Sequence, residues 1–157
     1  MRNYIARKGY EQLDRLLQRP REEKMKDYLF AYGTLAEDCV PQEIASAVKR
    51  LKYVGDGFIF GRLYDLGDYP GAVLDAGTRH KIFGKIYELP SDSKLLNRLD
   101  TYEEFDPERP AKSLFVRKQT SINRPNKKTV KGWVYEYNKG VRRRPLIENG
   151  RYSKTSA

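Results

Sequence analysis

Apolar and polar positions along the chain fall into two periods. Leu13, Leu16 and Leu17 stand at i, i+3, i+4 among charges, which predicts an N-terminal helix over residues 5–19, ended by Pro20 and packed on the body or on a partner. Arg21–Lys26 reads as a charged linker. Tyr28–Tyr32 is a short aromatic and aliphatic run, the pattern of a buried strand, and it stops at Gly33-Thr34. Pro41 to Val48 reads as a short helix with proline in its first turn. Lys52 to Leu66 is aromatic and β-branched but broken by Gly55, Gly57 and Gly61, which predicts a bent or bulged strand of the kind barrel walls need.

Tyr69-Pro70-Gly71 is a turn, and a short strand follows at Ala72–Leu74. From His80 to Leu89 the chain alternates, with Ile82, Gly84 and Ile86 on one face and Phe83, Lys85 and Tyr87 on the other. Pro90-Ser91-Asp92 opens a second body helix, whose stripe is Leu95, Leu96 and Leu99, extended by Tyr102. Ala111–Ile122 and Thr129–Tyr137 read as two strands joined by the loop Asn123–Lys128. The tail from Lys139 has no periodicity and is expected to be partly disordered. Strands dominate, and no regular βαβ alternation occurs, so the pattern predicts an antiparallel-rich α+β fold.

Charge divides the chain into three. The formal net charge is +10 over 157 residues. Residues 1–26 carry eight basic and four acidic side chains, residues 139–157 six basic and one acidic, and residues 27–138 seventeen basic against sixteen acidic. The expected organisation is a basic helical extension over 1–26, one domain over 27–138, and a basic, flexible tail over 139–157. A near-neutral body argues against a nucleic-acid-binding face. RNA association through the two termini is the weaker alternative, and it would fall steeply with salt. Cys39 is the single cysteine and His80, placed inside a strand as a structural residue, the single histidine. That excludes an internal disulfide and speaks against a protein-built metal site or a Ser/His/Asp hydrolase. No apolar run approaches the ~20 residues of a membrane span, and the N-terminus lacks the apolar core of a secretory signal, so a cytoplasmic setting is expected. The nucleotide-binding patterns GxxxxGK[ST] and GxGxxG are absent.

Two short stretches carry candidate chemistry. In Phe30-Ala31-Tyr32-Gly33-Thr34-Leu35, a glycine at a strand end lets a ligand approach the main chain, and successive N–H groups there can cradle an anion. An ordinary strand-ending turn explains the same residues. In Leu99-Asp100-Thr101-Tyr102-Glu103-Glu104-Phe105, three acids crowd a helix C-terminus, where they oppose the macrodipole. A carboxylate buried between Tyr102 and Phe105 would be shifted towards acid/base use, whereas a solvated helix end would not.

With these pieces in order, the chain resembles the gamma-glutamylcyclotransferase-like superfamily, which includes plant avirulence-induced-gene-like proteins and gamma-glutamylamine cyclotransferases. The likeness rests on Phe30–Leu35, Gly61-Arg62-Leu63-Tyr64-Asp65-Leu66-Gly67-Asp68-Tyr69-Pro70-Gly71-Ala72, Gly84–Leu89 and Leu99–Glu103, with Phe115-Val116-Arg117 and Gly132–Tyr135 following. It implies a small, mixed, mostly antiparallel β-barrel of five to six strands with flanking helices and a cavity at one end. It implies a catalytic role for Glu103 and a substrate-binding turn at Tyr32, Gly33, Thr34 and Leu35. Tyr69, Pro70, Gly71 and Tyr135 would line the pocket. The activity implied is release of 5-oxoproline and an amine from a small γ-glutamyl compound, with no metal or organic cofactor. A catalytically silent binding or docking domain on the same scaffold is the alternative, and an oligomer is compatible with the sequence. Two positions depart from the family pattern: Glu104 stands where glycine is usual, and Phe115 where a tyrosine often precedes the arginine.

Overall fold

The computed structural model describes residues 26–33, 40–91 and 93–153. The helix expected over 5–19, the cysteine at 39, and Thr34 and Leu35 lie outside the described residues. Six strands form one sheet: β1 (Asp27–Ala31), β2 (Lys52–Asp65), β3 (Pro70–Leu74), β4 (Lys81–Leu89), β5 (Phe115–Asn123) and β6 (Thr129–Tyr137). The order is β1-β4-β2-β3-β6-β5, and a further β1–β6 pairing closes five of the strands into a barrel, with β5 paired to β6 and, at Asn123–Phe58, to β2. Helices α1 (Gln42–Val48) and α2 (Ser93–Tyr102) flank it. No helix among the described residues is long and apolar enough to cross a membrane.

The run at β1 lacks alternation because both of its faces are covered. Phe30 and Tyr32 point into the barrel with Ile59, Leu63, Ile82, Ile86, Ile122 and Val134. Leu29 and Ala31 face the second core, where Ile44 and Ala47 of α1 and Leu95 and Leu99 of α2 pack against Tyr135 and Tyr137. Each helix buries a stripe at i, i+3 or i, i+4 spacing. Burying one such large side chain contributes about 1.5–3 kcal/mol. Gly84 lets the barrel close: a Cβ there would collide with the Ala31 carbonyl oxygen and the Phe30 ring. The bend expected in the long strand is a register shift against β4 between Tyr53 and Gly55, where Gly55 has φ 140°.

Three expectations are corrected. The strand predicted from Ala111 begins at Phe115, because Pro110–Lys112 form a 3₁₀ turn. His80 is exposed and sits one residue before β4. The tail is not loose over 139–153. Ile147 N–H donates to the Leu63 carbonyl at 2.7 Å, Asp65 N–H to Pro145 at 2.9 Å, and Phe83 N–H to Gly150 at 2.8 Å. Ile147 and Tyr152 pack on the barrel core. These bonds run to main-chain groups of β2 and β4, so no periodicity was needed to order the segment.

Candidate active site

Helix α2 ends in a motif that gives its last acids different surroundings: Asp100 is buried, while Glu103 and Glu104 line a cavity. Phe105 N–H donates to the Asp100 carbonyl at 2.8 Å and Glu104 N–H to the Thr101 carbonyl at 3.2 Å. Glu104 is left-handed, with φ 54°. This is the Schellman closure, whose left-handed residue is usually glycine. Glu104, the residue that departs from the glycine usual in the resemblance, therefore occupies the position with the strongest backbone reason for glycine. Its side chain is exposed.

Asp100 and Glu103 are three residues apart and share one helix face. Asp100 turns inward and is buried. It accepts from the Tyr135 hydroxyl at 2.7 Å and lies 3.2 Å from Nε of Arg117. The Arg117 guanidinium in turn rests 4.6 Å from the centre of the Trp133 ring. An acid at a helix C-terminus is held there by a phenol and a cation that offset the unfavourable dipole.

Glu103 faces a cavity of about 300 Å³. Tyr32 and Gly33 at the end of β1 form one wall, Asp68, Tyr69 and Pro70 another, and Tyr102, Glu104, Leu114, Phe115 and Tyr135 most of the rest. Burial pushes the Glu103 carboxyl up from its ordinary 4.5 to about 7. Tyr32 and Tyr135 are both pushed well above the usual phenol range, chiefly by burial, so both stay neutral hydrogen-bond donors. The Tyr32 hydroxyl donates to the main-chain oxygen of Tyr135 and accepts from Ala72 N–H at 3.2 Å. A neutral-range carboxyl, fixed phenols and a strand-end glycine thus surround one hollow of ligand size.

Of the residues singled out from sequence, Tyr32, Gly33, Tyr69, Pro70, Glu103 and Tyr135 line this cavity together. Gly71 does not. It lies in β3, which begins at Pro70 and not at Ala72, and a Cβ on it would come within 2.8 Å of Leu66 and 2.9 Å of Tyr137, so it sits behind the wall where only glycine fits. Asp68, Leu114 and Phe115 also line the cavity, though the sequence reading gave none of them a pocket role. The Asp100–Glu103 spacing was the one pattern that could have revealed the buried acid behind the site.

Residues 29–154 match the family described as gamma-glutamyl cyclotransferase, AIG2-like. The chain belongs to this family. No curated protein is similar enough in sequence to count as a match. Solved structures share the fold of the AIG2-like family. An AIG2-like protein from Mus musculus aligns with TM-score 0.60 at 20% identity, over 84% of this chain and 98% of that one. The ytfP protein of Escherichia coli aligns with TM-score 0.55 at 25% identity, over 80% and 95%. YkqA from Bacillus subtilis aligns with TM-score 0.60 at 18% identity, over 82% of this chain but 40% of YkqA, so this chain spans less than half of that relative's length. At these identities the likeness is one of fold.

Proposed function

We propose that the protein is a γ-glutamyl cyclotransferase, with Glu103 as its acid/base and the strand-end turn from Tyr32 as its substrate holder. The observation that carries this reading is the sharing of one cavity by Glu103 and the Tyr32–Gly33 corner, with the carboxyl held near pH 7 by burial. A group with that pKa is about half ionised at neutral pH, so it can both take and return a proton.

The substrate's α-carboxylate is received by main-chain N–H groups from Gly33 onward. Glu103, as carboxylate, takes a proton from the α-ammonium group. The freed amine attacks the γ-carbonyl carbon and a C–N bond forms, closing a five-membered ring. Backbone donors stabilise the oxyanion that develops on the carbonyl oxygen. Glu103 then returns the proton to the leaving nitrogen, the original C–N bond breaks, the ring nitrogen releases its second proton to solvent, and 5-oxoproline and an amine depart. The attack is intramolecular, so a pocket that holds the substrate folded supplies much of the rate. Tyr69 and Pro70 form the wall against which that conformer is held.

The test is release of 5-oxoproline from a panel of γ-glutamyl amines by the native protein and by Glu103→Gln, with folding checked by circular dichroism. The expected loss in kcat is about 10²–10⁴-fold. Undiminished turnover in the variant would remove Glu103 from the mechanism. Absence of product from the native protein across the panel would favour a silent binding domain instead.

A further inference from the structure

A second hollow, of about 470 Å³, shares Tyr32 and Gly33 with the Glu103 cavity. Its floor is the outer face of β2 and β4. Phe58 stands opposite Phe83 and Asp56 opposite Lys85, with Gly57 opposite Gly84 between the two pairs. The Phe58 and Phe83 rings lie 5.9 Å apart. The rim is the tail segment: Arg151 lays its guanidinium 4.0 Å from the centre of the Phe83 ring. The next residue, Tyr152, donates its hydroxyl to the Asp68 carbonyl at 3.4 Å, which ties this rim to a wall of the first cavity.

The two hollows differ in charge. The first is lined by the acids Asp68, Glu103 and Glu104. The second presents Lys85 and Arg151, and neither cation forms a salt bridge among the described residues. Its one acid, Asp56, already accepts from the Tyr53 hydroxyl at 2.6 Å. An aromatic floor beneath two cations suits an apolar or aromatic group that carries a carboxylate, and it repels a cationic one.

We infer that this second hollow is the leaving-amine subsite and that it selects γ-glutamyl amino acids whose amine portion bears a free α-carboxylate and an apolar or aromatic side chain. This rests on the cyclotransferase reading, because that reading holds the glutamyl portion at the Tyr32–Gly33 corner, which both hollows share. The carboxylate pairs with Arg151 and Lys85, and the side chain lies on Phe58 and Phe83. Stacking on Phe83 holds the guanidinium fork in place, so Arg151 is a specificity residue that takes no part in proton transfer.

Glu103→Gln is the background for the test, because it holds substrate without consuming it. Calorimetry compares γ-glutamylphenylalanine with the same compound bearing a C-terminal carboxamide. Replacing Glu103 affects the ammonium end of both compounds alike, so the ratio of their Kd values reports the carboxylate alone. The acid is expected to bind roughly tenfold more tightly than the carboxamide, and adding Arg151→Ala and Lys85→Ala to reduce that ratio to about twofold. Equal affinities, a ratio that survives both replacements, or binding of neither compound would each overturn the subsite. Release of 5-oxoproline by the native protein is scored separately. Product with equal affinities sinks the subsite alone, and a tenfold preference that falls on replacing Arg151 and Lys85, without product, sinks the cyclisation alone.

Discussion

The Tyr32 hydroxyl donates to the main-chain oxygen of Tyr135, joining residues 103 apart in the chain. The Tyr32 hydroxyl oxygen in turn accepts from Ala72 N–H. Three strands therefore meet on one phenol: Tyr32 follows β1, Ala72 lies in β3 and Tyr135 in β6. The ladders along this seam are minimal. β1 and β6 pair only at Leu29 and Trp133, and β3 and β6 only at Ala72 and Glu136. Glu136 supports the seam in the same way, accepting Leu74 N–H on its carboxylate at 2.7 Å. Side chains add bonds where the parallel ladders are short, and Tyr32 and Tyr135 at this seam also line the cavity. Barrel closure and site shape are one feature of this fold.

Tyr32→Phe should accordingly cost more than the loss of an ordinary phenol. It leaves Ala72 N–H and the Tyr135 oxygen buried without their partner, a penalty of about 2–3 kcal/mol. Urea unfolding of the variant measures it. A change below about 0.5 kcal/mol, the scale of an uninvolved surface substitution, would show that the seam does not depend on this hydroxyl.

The Asp100–Arg117 pair holds the floor behind Glu103. Their side chains are 4% and 17% exposed, which places the pair where one unpaired partner is costly. Asp100→Asn should destabilise by about 3 kcal/mol, and Arg117→Met by a similar amount. The double variant should recover part of the sum, because neither residual charge is then stranded. Strict additivity in a denaturant double-mutant cycle would mean that the two groups do not interact.

Local pattern was enough for much of this architecture. Thr129–Tyr137 is a strand as read, and Ile82 and Ile86 face the barrel as their alternation requires. Glu103 and the Tyr32–Gly33 corner were legible because each lies in a compact motif. What local pattern missed came from contacts distant in sequence. Arg117 entered only as part of a family-like stretch, and its partner Asp100 came from the folding of β5 against α2. The tail looked featureless because its order comes from the open main-chain groups of β2 and β4, not from its own side-chain spacing. Ser113 delays β5 by bonding Asp106 N–H at 2.8 Å and the Arg109 carbonyl at 3.1 Å, a local competition that a strand propensity scale does not contain.

Glu104→Gly tests the backbone account of helix α2. A non-glycine residue in the left-handed region costs on the order of 1 kcal/mol, partly offset by the greater freedom glycine has in the unfolded chain. The substitution should stabilise the protein by about 0.5 kcal/mol, and Glu104→Val, with its branched Cβ, should destabilise it. Both are read from thermal midpoints. If glycine lowers the midpoint, the Glu104 side chain contributes something that outweighs its backbone strain.

The titration of Glu103 should leave two separate marks. The first is on stability. Below about pH 4.5 the carboxyl is protonated in both the folded and the unfolded chain, so Glu103→Gln changes little there. Between 4.5 and about 7 the folded protein keeps a proton that the unfolded chain has lost, and native stability falls as pH rises. Above about 7 the charge is buried at a cost, and Gln should be the more stable residue by about 1–3 kcal/mol, the lower end allowing for partial exposure. The second mark is on rate. If Glu103 takes the ammonium proton, kcat/KM should rise through an apparent pKa near 7, the value of the free enzyme. The kcat limb should lie lower, because a bound ammonium favours the carboxylate. Urea midpoints at pH 4.5 and 8 check the first, and a pH–rate series on the native protein checks the second. A stability difference independent of pH, together with an acid limb near 4.5, would show that the carboxyl is solvated and that the cavity does not tune it.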